Sequence, residues 1–353
     1  MEILLLGAAL LLAFANGAND NFKGFATVWG ADLLTYRQAL ALATGASLAG
    51  SLASLVLAQE LVRRFSGKGL VPDAVAAAPD FVFAVALGAG LTVLVATRAG
   101  LPVSTTHALV GALVGAGAAA GGALNLTALM QGFLIPLLVS PLLAALLGWA
   151  AYRGVRRRHR VPDCACVTSA VTAEAGSALA LLRPALSVMV DHAVNCPSGP
   201  GTVRVTVGGV AEGVHVLSAA TICFARGVND TPKLTALLVA GHLLGAGRSA
   251  LAVGAVMAVG GVLFARRVAE TMSRRVTRMD ADQGLAANLV SAGLVLFASK
   301  LGVPVSTTHV SVGSIAGVGA GAIDWAVMRG VLLSWVATLP LAAACAWAAA
   351  VAV

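Results

Sequence analysis

The sequence contains the hexapeptide Pro102-Val103-Ser104-Thr105-Thr106-His107, and the same six residues return in the same order from Pro304 to His309. Proline suits the first turn of a helix, and Ser and Thr suit its cap. An apolar, glycine-rich stretch follows each copy. Each copy therefore predicts a helix N-terminus, whose unpaired N–H groups and positive dipole end favour an anion. Two such N-termini that face each other could share one tetrahedral oxyanion.

A second motif is duplicated in the same order along the chain. Gly17-Ala18-Asn19-Asp20-Asn21-Phe22-Lys23 aligns with Gly227-Val228-Asn229-Asp230-Thr231-Pro232-Lys233 at an offset of 210 residues, and the hexapeptide repeats at an offset of 202. Two unrelated motifs that are repeated in the same order indicate two related halves.

Composition identifies the class of protein. Of the 353 residues, 59% are apolar and only 11% are charged, whereas a soluble domain carries about 25% charged residues. The chain is therefore an integral membrane protein, which excludes a secreted disulfide scaffold, a disordered tail and a cytosolic enzyme. The net charge of +8 comes from Lys and Arg in short loops, so no nucleic-acid partner is expected. No cleavable signal peptide is recognised, so the first apolar segment is expected to remain in the mature protein.

Apolar runs of about 20 residues mark bilayer crossings. They predict an all-α polytopic membrane protein with about five crossings in each half, or 10–12 helical segments when broken or re-entrant pieces are counted. Residues 1–152 form the first membrane repeat, 153–208 a central loop and 209–353 the second repeat. The predicted crossings are 3–30, 39–59, 80–97, 102–120, 126–152, 209–240, 247–266, 282–299, 304–321 and 325–353.

An odd number of crossings in each half predicts that the second half is inverted relative to the first, which is the inverted-repeat plan of secondary transporters. Loop charges predict the orientation. With the N-terminus outside, the inner loops hold 15 Lys and Arg residues and the outer loops hold 5. The prediction is a multi-pass protein of the plasma (inner) membrane, with both termini outside and the central loop cytoplasmic.

Charged residues inside the first apolar stretch indicate a functional site. Asp20 and Lys23 each cost roughly 2.5 to 3.5 kcal/mol at membrane depth, and Asn, Gly and Asp favour turns, so the helix is expected to break here. Freed carbonyls, the Asn19 amide and the Asp20 carboxylate are oxygen ligands that suit Na⁺. The simpler alternative is an ion pair between Asp20 and Lys23. The second copy, with Asn229, Asp230 and Lys233, favours a functional role.

Other functions and sites have weaker support in the sequence. Ser104, His107 and Asp20 are the residue types of a nucleophile, a base and an acid, but their spacing does not align them, so no enzyme is predicted. A passive anion channel is a second alternative. Cys164 and Cys166, with His159, His192 and Cys196, match no strong metal template. No cofactor is therefore predicted beyond Na⁺ or H⁺ as a coupling ion.

Taken together, the paired Asn-Asp and Pro-Val-Ser-Thr-Thr-His motifs resemble those of the inorganic phosphate transporter (PiT) family. The resemblance implies cation-coupled uptake of inorganic phosphate by alternating access, an inverted-repeat core and often a homodimer. It implies the cation-binding residues Asn19, Asp20, Asn229 and Asp230. It implies the substrate-binding residues Ser104, Thr105, Thr106, Ser306, Thr307, Thr308, Asp20 and Asp230.

The sequence departs from the family pattern at three positions. The family usually has a further Asn where this chain has Lys23 and Lys233, and Arg226 stands at the position that matches Asn16. We hypothesise that each ammonium modulates the local charge by filling space that a sodium ion would otherwise occupy, so that coupling uses fewer Na⁺ or H⁺ instead.

Sulfate or another oxyanion is the alternative substrate. Phosphate differs from sulfate at neutral pH by a proton, and a carboxylate acceptor favours the oxyanion that can donate a hydrogen bond. Asp20 and Asp230 are the candidate acceptors.

Overall fold

The computed structural model describes residues 1–121, 124–156, 164–172, 183–191, 195, 202–276, 279–319 and 321–353. In these residues the chain is mostly helical, and seven helices are long and apolar enough to cross a membrane. The predicted fold class, a helical polytopic membrane protein, is confirmed.

The longer helices follow the same order in both halves. The first half contains α1 (Glu2–Asp20), α2 (Ala26–Gly30), α3 (Tyr36–Leu57), α4 (Gln59–Arg64), α5 (Asp73–Ala76), α6 (Pro79–Arg98), α7 (Thr105–Ala119), α8 (Leu126–Leu129) and α9 (Ile135–Arg156). The second half contains α10 (Val207–Ala240), α11 (Ala246–Phe264), α12 (Arg266–Glu270), α13 (Ala281–Lys300), α14 (Thr307–Val318) and α15 (Trp325–Val351). By position in the repeat, α10 corresponds to α1 with α2, and α14 corresponds to α7.

The expected helix break is present in the first half and has no counterpart in the second. α1 ends at Asp20, and one turn of 3₁₀-helix, Lys23–Phe25, leads into α2. In contrast, α10 continues through the matching motif and through Pro232. A proline removes one backbone hydrogen bond, and packed neighbouring helices can compensate for that loss inside a membrane protein.

The two helices that follow the hexapeptides are short. At 1.5 Å per residue, α7 is about 22 Å long and α14 about 18 Å, both less than the hydrocarbon thickness of about 30 Å. The predicted crossings 102–120 and 304–321 are therefore partial helices. Each begins within the protein, as expected from the proline and hydroxyl residues at its start.

Close crossings hold the two halves together. α3 packs on α10, and α1 packs on α11. A Cβ atom at Gly50 of α3 would collide with the carbonyl oxygen of Phe224 on α10, and one at Gly260 of α11 would collide with that of Phe14 on α1. Small residues allow such close approach between membrane helices. Gly50 and Gly260 are 210 residues apart, which is also the offset between the two copies of the Asn-Asp motif. The same helix crossing therefore occurs twice, and each time it joins a helix of one half to a helix of the other.

The helix that follows each hexapeptide also packs on the other half. α7 packs on α15, and α14 packs on α9. Gly111 of α7 lies against the carbonyl group of Leu339, and Gly313 of α14 lies against that of Pro141. The last helix of each half therefore supports the hexapeptide of the other half.

The central loop contains β structure that the sequence did not predict. β1 (Cys164–Thr172) pairs antiparallel with both β2 (Arg183–Asp191) and β3 (Thr202–Thr206), in the order β2-β1-β3. Cys164 is disulfide-bonded, so its sulfur is not a metal ligand. His159, His192 and Cys196 of the candidate metal group lie outside the described residues, as do four arginines of the charge count, Arg157, Arg158, Arg160 and Arg278.

We predict that Gly50→Ala lowers the melting temperature of the protein in detergent. The added methyl group would meet backbone atoms of α10, and overpacking of this kind costs about 1–3 kcal/mol. Gly45→Ala on the same helix is the control, because a Cβ there has nothing within 4 Å and alanine is the better helix former by about 1 kcal/mol. Equal melting temperatures for the two variants would contradict the close crossing of α3 and α10.

Candidate functional site

The two hexapeptides contact each other. The Thr106 hydroxyl donates to the Val305 carbonyl oxygen at 3.2 Å, and the Thr308 hydroxyl donates to the Val103 carbonyl oxygen at 2.8 Å. Each motif thus donates to the other at matching positions. The sequence predicted two helix N-termini that can face each other, and the structure places them side by side in the interior.

The serines and threonines of the motif have different partners. Ser104 caps α7 by accepting from the backbone N–H of His107 at 3.1 Å, and Ser306 caps α14 in the same way at 3.2 Å from His309. Thr105 accepts from the Asn16 amide at 2.9 Å. The capping role, which is the simpler interpretation of these hydroxyls, is therefore filled by the serines. Thr307, like the other hydroxyl residues of both motifs, is buried.

The two histidines of the motif pack together. The His107 and His309 rings meet edge to face with centroids 4.4 Å apart, and the His309 ring stacks on Trp335 at 3.8 Å. His309 Nδ1 lies 3.4 Å from the carbonyl oxygen of Leu137, which is the kind of partner expected from the sequence. One histidine from each motif thus takes part in a ring contact between the two motifs.

Five charged side chains are buried beside the hexapeptides. Their relative exposures lie between 1% and 4%. Lys23 is paired with Asp20, and Lys233 lies 3.4 Å from Asp230. Arg226 lies between the two carboxylates, with Nη2 3.9 Å from Asp20 and 3.7 Å from Asp230. In their ordinary charged forms these groups comprise three cations and two anions, so the cluster carries one excess positive charge.

The Lys23 ammonium is surrounded by oxygen atoms. Its Nζ donates to Asn19 Oδ1 at 2.8 Å, to the Val103 carbonyl at 3.0 Å and to the Thr308 hydroxyl at 2.5 Å. The Asp20 carboxylate is a further acceptor. The ion pair of the simpler interpretation therefore exists, but it is part of a larger set of ligands drawn from both halves.

The Lys233 ammonium has a matching environment. Its Nζ donates to the Thr106 hydroxyl at 2.9 Å, to the Val305 carbonyl at 3.0 Å and to Asp230 Oδ1 at 3.4 Å. Each lysine therefore contacts the aspartate and the valine carbonyl of its own half and the threonine of the other half. We call these two sets of oxygens the Lys23 cage and the Lys233 cage.

Several buried polar atoms have no hydrogen-bond partner in the part of the chain that the structure describes. They include Nε and Nη1 of Arg226, Oδ2 of Asp230 and Oδ1 of Asn16. Buried polar atoms are nearly always paired, and it is unusual for two nitrogens of a buried guanidinium and an oxygen of the neighbouring carboxylate to lack hydrogen bonds. These atoms provide two donors and two acceptors for a ligand that itself both accepts and donates hydrogen bonds.

The predicted asparagines support the cluster. Asn19 donates to the Thr97 hydroxyl at 2.9 Å and to the Leu101 carbonyl at 3.0 Å. Asn229 donates to Asp230 at 2.9 Å and accepts from the Ser299 hydroxyl at 3.1 Å. The structure therefore brings the predicted residues of both motifs into one region. No group of three or more His, Cys, Asp or Glu among the described residues is arranged to hold a metal ion.

Arg226 is the member of the site that sequence reasoning missed. In the sequence it stands out only as a departure from a family pattern at the position of Asn16. A signal was nevertheless present, because an arginine inside an apolar helix is as costly as the aspartate and lysine that follow it. That cost alone marks it as a candidate functional residue.

The sequence and the fold match known transporters. The model of the phosphate transporter family matches residues 16–346. A protein of Pyrococcus abyssi that is named as a putative phosphate permease is 26% identical, and the match covers 96% of this chain and 95% of that protein. The chloroplast inorganic phosphate transporter 2-1 of Arabidopsis thaliana is 28% identical, over 94% of this chain and 68% of that protein.

A solved structure shares the fold. The structure of a protein described as the sodium-dependent phosphate transporter superposes with a TM-score of 0.80 at 22% sequence identity, and the match covers 99% of this chain and 98% of that one.

We predict that substitutions of Asp20 and of Lys23, which form a buried ion pair, lower the melting temperature of the protein by unequal amounts. Asp20→Asn raises the excess charge of the cluster to two and leaves an uncompensated buried cation, which typically costs about 3–5 kcal/mol. Lys23→Met removes the excess, so the expected loss of melting temperature is smaller. The double variant should lose less than the sum of the two single losses. Additive losses across this cycle would show that the two side chains do not interact as the structure indicates.

Proposed function

The chain belongs to the phosphate transporter family, and from that premise we propose that it is a secondary active transporter that carries inorganic phosphate across the membrane together with a coupling cation. The family is one of transporters rather than enzymes, as the sequence predicted. The observation that carries the proposal is the buried cluster with one excess positive charge, in which two nitrogen atoms of Arg226 have no protein partner among the described residues.

The cluster matches the charge and shape of phosphate. Dihydrogen phosphate carries one negative charge, which balances the excess charge of the cluster in a low-dielectric interior. The planar guanidinium of Arg226 presents N–H donors in a fork that fits phosphate oxygens. Thr105, Thr106, Thr307 and Thr308 supply neighbouring hydroxyls, while Ser104 and Ser306 hold the helix N-termini in place and so position the site.

Asp230 favours phosphate over sulfate. Its Oδ2 is buried without a hydrogen-bond partner among the described residues, although Arg226 lies nearby. A phosphate hydroxyl can donate to this oxygen, whereas sulfate has no hydrogen to donate at neutral pH. Bound sulfate would leave the carboxylate oxygen unpaired and facing a second anion. Phosphate is therefore the proposed substrate.

Alternating access explains why the site is built from both halves. In the proposal the halves are inverted repeats, 1–152 and 209–353, that rock about the shared site. The reciprocal threonine bonds and the small exposure of the charged residues are those of a site closed to both sides. In the proposal a cation held by Asn19, Asp20, Asn229 and Asp230 binds together with phosphate, and this mutual dependence is thermodynamic coupling. The candidate cations are H⁺ and Na⁺, the ion on which the structural neighbour is described as dependent.

The proposed orientation places both termini outside and the central loop of residues 153–208 in the cytoplasm of a plasma (inner) membrane. The excess of loop Lys and Arg on that side supports it. The disulfide at Cys164 favours the opposite orientation, because disulfides persist mainly in oxidising compartments. The homodimer that the resemblance implies and the contact with the lipid bilayer that the composition implies stay predictions.

We predict that purified protein in liposomes concentrates radiolabelled phosphate when an inward cation gradient is imposed. Gramicidin, which dissipates both Na⁺ and H⁺ gradients, should abolish the accumulation. Arg226→Lys keeps the charge but loses the planar fork, so phosphate uptake should fall at least ten-fold. Arg248→Lys, a change at an exposed arginine outside the site, should leave uptake unchanged.

Three outcomes would contradict the proposed function. Phosphate flux that only equilibrates, with passive anion current, indicates a channel. Release of a chemical product indicates an enzyme. If sulfate competes with phosphate as strongly as arsenate does, the proposed role of Asp230 is contradicted. That result would favour a general oxyanion permease.

The orientation is tested by fusions made in a bacterial host. Alkaline phosphatase is active only outside the cytoplasm, so we expect activity when it is fused after Val353 and none when it is fused within the central loop after Asp191. The reverse pattern would support the side indicated by the disulfide and would overturn the orientation derived from loop charges.

A further inference from the structure

The oxygen atoms of the two cages are of the kind that bind an alkali cation. Each cage combines a carboxylate, a backbone carbonyl and a hydroxyl, and the Lys23 cage adds an amide oxygen. Hard oxygen ligands at helix interruptions are the usual coordination for Na⁺ in secondary transporters. In this chain, however, each cage already surrounds an ammonium group of the protein itself.

A sodium ion does not fit beside these ammonium groups. The oxygens that would coordinate it are already accepting hydrogen bonds from Nζ, so one atom would have to replace the other. The two like charges would also lie in contact within a low-dielectric interior, where repulsion is strong. Burial of the lysines, with 1% side-chain exposure each, leaves no solvent to screen them.

The net charge of the buried cluster also argues against bound sodium. Without the two lysines, Arg226 and two aspartates would leave one excess negative charge, which repels an anion. Two bound sodium ions would convert this to one excess positive charge. The ammonium groups of Lys23 and Lys233, which belong to the chain itself, supply the same two positive charges. The site therefore suits a singly charged oxyanion with no sodium ion bound.

We propose that the ammonium groups of Lys23 and Lys233 replace two sodium ions, so that phosphate transport by this chain does not require Na⁺. The inference rests on the proposed function and specifies its coupling: the cation of the symport is the proton. The sodium dependence ascribed to the structural neighbour is not carried over to this chain.

The first test compares phosphate uptake into liposomes in sodium and in potassium buffers at equal pH gradient. Wild-type uptake should agree within two-fold, and its melting temperature should be the same in both salts. Uptake that falls at least ten-fold without sodium, or a melting temperature raised specifically by sodium, would overturn the inference while leaving phosphate transport intact. Absence of phosphate uptake in every buffer would instead refute the proposed function.

The second test removes the tethered cations. Lys23→Ala/Lys233→Ala empties both cages and leaves room for ions. We expect sodium, but not potassium, to raise the melting temperature of this variant and to increase its phosphate uptake at least ten-fold. Lys23→Met/Lys233→Met is the matched control, because methionine also removes the charge but fills the space, and it should gain neither response.

Each result of this test decides the matter. An alanine variant that folds and shows no sodium response would show that the cages are not sodium sites, and an equal response in the methionine variant would show that sodium binds elsewhere. If the double alanine variant does not fold, Lys23→Ala and Lys233→Ala are examined singly for the same sodium-specific shift in melting temperature.

Discussion

The burial of five charged side chains in one cluster constrains the rest of the structure. Each buried ion costs several kcal/mol unless it is paired and hydrogen-bonded, so every element near the cluster supplies a partner. The end of α1 supplies Asp20, the middle of α10 supplies Arg226 and Asp230, and the two hexapeptides supply carbonyls and hydroxyls. The halves must meet at this point, because neither one contains all the ligands of its own lysine.

The two close helix crossings at glycine residues bring the halves together at this point. Helices that carry the charged motifs approach the other half so closely that a methyl group would not fit at Gly50 or Gly260. Close backbone contact gives van der Waals stabilisation where the membrane provides little hydrophobic drive between helices.

Much of this arrangement could be predicted from the sequence, because its two motifs are duplicated and each contains groups that are costly in a membrane. The fold class, the helix starts at Ser104 and Ser306 and the break at Asp20 followed from local chemistry. Arg226 was not predicted as a site residue, because in the sequence it appears only as a departure from the family pattern. The second copy of the motif lies within the unbroken α10, where tertiary packing outweighs the turn preference of its residues. The sheet of the central loop was not predicted, although Val203 and Val205 alternate with Thr202, Arg204 and Thr206 as they do in a β-strand.

The exchange of threonines between the cages also links the two hexapeptides to each other. Thr106 is encoded in the first half but completes the cage around Lys233, and Thr308 does the reverse for Lys23. A substitution in one hexapeptide therefore changes the cation environment of the opposite half. This mutual dependence gives a physical reason for the identity of the two hexapeptides within the one sequence.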